Sequence, residues 1–119
     1  MMEYSKKIKR LLREWAAKSY ERELEREFTK LEHSFSDWRN GKISTLELRN
    51  CIHQAETQFL KELDKKYNHG MNDFNVAYAI VTDLLDQKEI PTELLDALEK
   101  QLSFYQSLKN AGDLRLPGE

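Results

Sequence analysis

The chain has 119 residues, of which 39% are apolar and 34% charged, with only four glycines and two prolines. That length suits one domain with a core of its own, and so few breakers argue against a sheet-rich fold. A net charge of -2, a single cysteine and no long apolar run argue against a generally basic nucleic-acid binder, an internal disulfide and a membrane span.

The first helical pattern runs from about Glu3 to Arg39 and stops at Asn40-Gly41. Its opening stretch, KKIKRLLREW, mixes five basic residues with four large apolar ones. On a wheel of 100° per residue, Tyr4, Ile8, Leu11, Leu12 and Trp15 form one stripe. Tyr20, Leu24, Phe28, Leu31, Phe35 and Trp38 form another on nearly the opposite side. One straight helix cannot lay both stripes on one core. Either the chain breaks near Ala17 to Ser19, or a continuous helix packs its two halves on different partners. A continuous helix of ~55 Å would overhang a compact domain of roughly 35 Å and leave the first stripe uncovered. That stripe is then an interface of Tyr4, Ile8, Leu11, Leu12 and Trp15, beside a basic face of Lys6, Lys9, Arg10 and Arg13. Four occupants compete for it. They are the chain's own fold, a second copy making a homodimer, a different protein, and an anionic membrane surface or nucleic acid.

A second helix starts at Ser44, whose spacing to Glu47 is that of a capping box, and carries Leu48, Ile52, Ala55, Phe59, Leu63 and Tyr67. It ends at Asn68-His69-Gly70. Asn72 or Asp73 caps a third, whose stripe is Phe74, Ala77, Val81 and Leu84. Pro91 and Thr92 introduce a fourth, carrying Leu94, Leu95, Leu98, Leu102, Tyr105 and Leu108. Residues 113–119 read as an irregular tail and residues 1–112 as a single helical domain. The expected fold is all-α, a bundle of about four helices with an unusually long N-terminal helix.

Charge is unevenly placed. Residues 1–22 hold seven Lys/Arg against three Glu, a net of +4, and residues 72–99 hold seven acids against Lys88, a net of -6. Helices that lie side by side and neutralise each other account for this, as does a bipolar molecule that docks by charge.

Motifs for chemistry are missing. None of His33, His53 and His69 follows a Glu by three residues, as metal-binding bundles require, and no phosphate-cradling glycine loop, G-x-S-x-G, H-E-x-x-H or C-x-x-C occurs. Cys51, at a core-edge helical position, reads as a buried, inert thiol. The run Glu21, Arg22, Glu23, Glu25, Arg26, Glu27 reads as a solvated face, although its i,i+4 pairs are all like-charged. Tyr67, Phe74, Tyr78 and Tyr105 read as core aromatics. Phe104 sits off its helix stripe and joins Trp15 as a candidate interface anchor. No catalytic residue, cofactor or metal is expected. The functional expectation is a small cytoplasmic, non-catalytic protein-protein interaction or regulatory protein, either homodimeric or bound to another protein. An adaptor, an inhibitor or antitoxin-like protein, and a subunit of a larger assembly all fit. The alternative is a nucleic-acid-associated factor using the basic face of residues 6–13.

Overall fold

The computed structural model describes residues 3–118. Among them there is no strand, and the chain forms five helical rods, the first much the longest. Helix α1 (Lys6–Arg39) is continuous through Ala17 to Ser19. It starts where Ser5 accepts the Ile8 amide at 3.2 Å, and it stops where Gly41 takes a positive φ of 74°.

Helix α2 (Thr45–Gln54) begins with the expected capping box. The Glu47 amide donates to the Ser44 hydroxyl at 3.0 Å, and the Ser44 amide donates to the Glu47 carboxylate at 3.2 Å. A π-helical turn (Ala55–Leu60) carries it without a loop into α3 (Lys61–Tyr67). The wider turn interrupts the regular period that the sequence suggests, and it puts Phe59 beside α1 rather than deep in a core.

Helix α4 (Asn72–Val81) differs from expectation at both ends. Met71 occupies the cap position, and the Asp73 carboxylate accepts the amide of its own neighbour Phe74 at 2.9 Å. The helix stops before Asp83, which adopts φ 61°, a left-handed conformation that the short polar Asp tolerates better than most residues. Leu84 and Leu85 are both buried after this reversal. A 3₁₀ turn (Gln87–Glu89) leads to Pro91, whose carbonyl accepts the amides of Leu94 and Leu95, so Thr92 is the first helical residue and not the cap. The fourth expected helix is two: α5 (Thr92–Ala97) and α6 (Glu99–Asn110), joined at the fully buried Leu98.

These elements spread along α1 instead of gathering at one place on it. The molecule measures 52 × 31 × 25 Å, and 34 residues of α-helix account for ~51 Å of that long axis. The expected overhang therefore does not arise. The main core lies at the N-terminal half of α1. There Leu11, Leu12, Trp15 and Ala16 meet Val76, Ala79 and Ile80 of α4, Leu84, Leu85 and Ile90 of the connection, and Leu94 and Leu98. The C-terminal half of α1 packs against α2, the π turn and α3, where the apolar contribution is small: among the described residues of α2, the π turn and α3, Leu48 and Ala55 are the buried apolar ones.

Candidate functional site

The residues expected to form an interface are covered by the chain itself. Leu11, Leu12 and Trp15 belong to the main core, and Tyr4 and Ile8 pack on its edge. The Tyr4 hydroxyl donates to Asp73 at 3.0 Å and accepts from Gln101 at 3.0 Å, which fastens the chain entry to α4 and α6. Burial, and then the Asp73 carboxylate, raise the Tyr4 hydroxyl above its ordinary pKa. The expected alternatives, a break near Ala17 to Ser19 or a first half left for another partner, both give way to a continuous α1 covered by its own chain. Phe104 stands apart from that group, 53% exposed on α6 with its ring edge-on to Tyr105 at 5.1 Å. Lys6, Lys9, Arg10 and Arg13 are all exposed. Arg10 holds Glu14 at 3.7 Å, and the neighbouring Lys7 reaches Glu93 of α5 at 2.8 Å.

The two opposed stripes of α1 have a geometric explanation. At 3.6 residues per turn, a step of four residues overshoots one turn by roughly 40°. The covered positions follow that step: Leu11, Trp15, Ser19, Glu23, Glu27, then the half-buried Leu31. Over five steps the covered line winds roughly half way round the helix. The N-terminal stripe opens this winding line, which reaches the azimuth of the C-terminal stripe only at Leu31. Ser19, fully buried, is the smallest side chain on it, and its hydroxyl donates to the Trp15 carbonyl at 2.9 Å.

The same geometry sorts the charged run, which is not one solvated face. Each like-charged i,i+4 row enters a different environment. Glu23 and Glu27 are buried, each 6% exposed. Arg22, Arg26 and Lys30 turn to other parts of the chain. Arg22 donates to the Leu84 carbonyl at 2.8 Å, Arg26 to that of Pro117 at 3.3 Å, and Lys30 to that of Gly118 at 3.4 Å. Glu21 and Glu25 point outward with Glu32, and among the described residues no ion pair holds any of the three. Sequence spacing alone contained the three rows; which row faced which surroundings depended on residues far away in the chain.

The buried row borders a cavity of about 180 Å³ between α1, the π turn, α3 and α4, roofed by residues 115–118. Lys66 donates to Glu23 at 3.1 Å and sits 4.1 Å from the centre of the Tyr78 ring, and the Tyr67 hydroxyl also donates to Glu23. Lys30 pairs with Glu27 at 3.1 Å. Buried carboxylates need such partners because an uncompensated charge in a poorly polarisable interior is costly. Burial first, and then the Glu23 carboxylate, push the Tyr67 hydroxyl far above the ordinary tyrosine range, so it stays a donor. The roof is fastened by Tyr78, whose hydroxyl donates to the Arg115 carbonyl at 2.6 Å. With Glu23 accepting from both Lys66 and Tyr67, the arrangement works as an anchor tying α1 to α3. Among the described residues no group of three or more His, Cys, Asp or Glu is placed to hold a metal ion, and no helix is long and apolar enough to cross a membrane.

What the winding line leaves uncovered is the outer side of the C-terminal half of α1. Leu24, Phe28, Leu31 and Phe35 follow one another at spacings of four, three and four, the seam spacing of a coiled coil. Leu24 and Leu31 are half-buried, but Phe28 is 52% and Phe35 41% exposed. Both rings belong to the second apolar stripe of α1, of which the structure leaves Phe28 and Phe35 the most exposed members. The Trp38 indole donates to the Thr45 hydroxyl at 3.1 Å, which draws the start of α2 and its 77% exposed Leu46 to the end of the same helix. Comparison of the chain with protein-family models, with curated proteins and with solved structures finds no match.

Proposed function

We propose that this is a small non-catalytic protein-protein interaction or regulatory protein that docks a helical partner on the outer face of α1 between Leu24 and Phe35. The observation that supports the reading is the half-exposed pair Phe28 and Phe35, set at coiled-coil spacing on a continuous helix. Large aromatics at such spacing gain most when a second helix buries them, and Phe and Trp anchors are enriched at interfaces. A regulatory adaptor, an inhibitor and an assembly subunit all use a surface of this kind.

The test is a photo-reactive amino acid at Phe28 or Phe35, with Lys100 on α6 as the exposed control. The expected result is a discrete protein adduct from positions 28 and 35 and none from 100. Equal labelling from all three overturns the reading.

A second reading rests on the exposure of all four of Lys6, Lys9, Arg10 and Arg13, a basic face within reach of nucleic-acid phosphates although Arg10 also pairs with Glu14. Binding of a nucleic acid through that face would weaken steeply from low to moderate salt, and Arg10→Glu with Arg13→Glu would abolish it.

A further inference from the structure

The charges beside the exposed seam point to its occupant. We propose that the outer face of α1 binds a basic amphipathic helix of another protein, an inference that rests on the docking reading above. On one flank of the seam Tyr20 and Trp38 hydrogen-bond to Asp64 of α3 and Thr45 of α2, so the chain's own helices close that side. The open flank carries Glu21, Glu25 and Glu32, all exposed and none held in an ion pair among the described residues. Arg39 is the one cation at the far end of this flank. An incoming helix therefore meets apolar side chains on its inner face and carboxylates along its one free edge. Lys or Arg at the positions flanking its own apolar seam complement that edge, as flanking charges set partner choice in coiled coils.

The same carboxylates discriminate against other occupants. They repel a nucleic-acid backbone or an anionic membrane. They also disfavour a second copy. A parallel pair sets the open flank of each copy against the flank of the other that α2 and α3 close, and an antiparallel pair that covers Phe28 with Leu31 brings Glu25 beside Glu32. The chain's own basic amphipathic segment, residues 6–15, is not available as a swapped occupant, because Leu11, Leu12 and Trp15 are committed to the core.

The experiment measures binding of two synthetic helical peptides to the full chain by fluorescence anisotropy. Both peptides carry leucine at the seam positions over about three heptads; one has lysine flanks and the other glutamate flanks. The lysine peptide is expected to bind at least roughly tenfold more tightly. Glu25→Lys with Glu32→Lys should reverse that preference, and Phe28→Ser with Phe35→Ser should remove binding of both. Because these four positions are exposed or half-exposed, the variants remain folded, which circular dichroism checks. Equal affinity for the two peptides, or binding untouched by the Phe28/Phe35 pair, overturns the proposal.

Light scattering separates this failure from failure of the docking reading. A mass of twice the 14.1 kDa chain that Phe28→Ser abolishes would make the occupant a second copy, so the face docks but the present inference falls. A chain that stays at 14.1 kDa, binds neither peptide and labels no better from position 28 than from position 100 loses both.

Discussion

The two ends of α1 solve the same problem in opposite ways. At the N-terminal end, α4, the connection after it, α5 and α6 wrap an apolar stripe, and the covering set includes Val76, Leu85, Leu94 and Leu98 at no measurable exposure. At the C-terminal end the covered line has rotated onto Glu23 and Glu27, and two ion pairs and the Tyr67 hydroxyl do what aliphatic packing does elsewhere. Phe28, to one side of that line, and Phe35, one step beyond Leu31, stay half-exposed. A closed end supplies stability, and an end held by polar anchors with bare aromatics supplies a surface. The order of the like-charged rows along α1 is thus a record of three environments, not of helix stabilisation, which i,i+4 repulsion of a few tenths of a kcal/mol per pair slightly opposes.

One substitution made at both ends breaks or sharpens this contrast most strongly. Leu11→Asp places an unpaired carboxylate in the main core and should cost more than about 4 kcal/mol, unfolding the chain at any concentration. A folded Leu11→Asp protein in circular dichroism would show that the N-terminal end is not closed. Next in size is Glu23→Ala, which strands Lys66 and the Tyr67 hydroxyl and should cost about 1–3 kcal/mol in a urea titration, well above a solvated glutamate. A loss within about 0.5 kcal/mol would return Glu23 to an ordinary surface position.

Alkaline pH probes the same anchor. The Tyr67 hydroxyl is raised above its ordinary value of 10.0 by burial and by Glu23. The folded state therefore holds a proton that the unfolded chain releases. The stability this contributes is complete below pH 10 and is lost as pH rises from there toward the folded value. Urea midpoints should fall above about pH 10, and Tyr67→Phe should blunt the fall while costing about 1 kcal/mol at neutral pH through its hydrogen bond to Glu23. Tyr20 beside it, and Tyr4 and Tyr105 near the other end, are also raised, so some alkaline loss persists in the variant. A midpoint flat from about pH 8 to about pH 11 in the native chain would contradict the anchor. The smallest effect on stability belongs to Phe28→Asp, within about 0.5 kcal/mol of the native chain, despite being the same kind of change as Leu11→Asp. Its loss is expected in docking alone, so a Phe28→Asp protein that unfolds would show that this ring is part of a core.

Much of the chain's organisation was present in local sequence. The Ser44/Glu47 capping box, the stop at Gly41, the helical spacing of Leu94, Leu98 and Leu102 and the scarcity of breakers specified an all-α chain with a long first helix, because caps and periods act over a few residues. The tertiary structure alone decided which side of α1 is covered. A four-residue step rotates the contact line, so no fixed wheel separates Leu31 from Phe28, and only the placement of α2 and α3 does. It also decided that Glu23 and Glu27 go inside, since the side chains that make Glu23 tolerable there, Lys66 and Tyr67, lie 43 and 44 positions away. Local propensity sees neither distance, because burying a charge depends on a partner that arrives only when the helices dock.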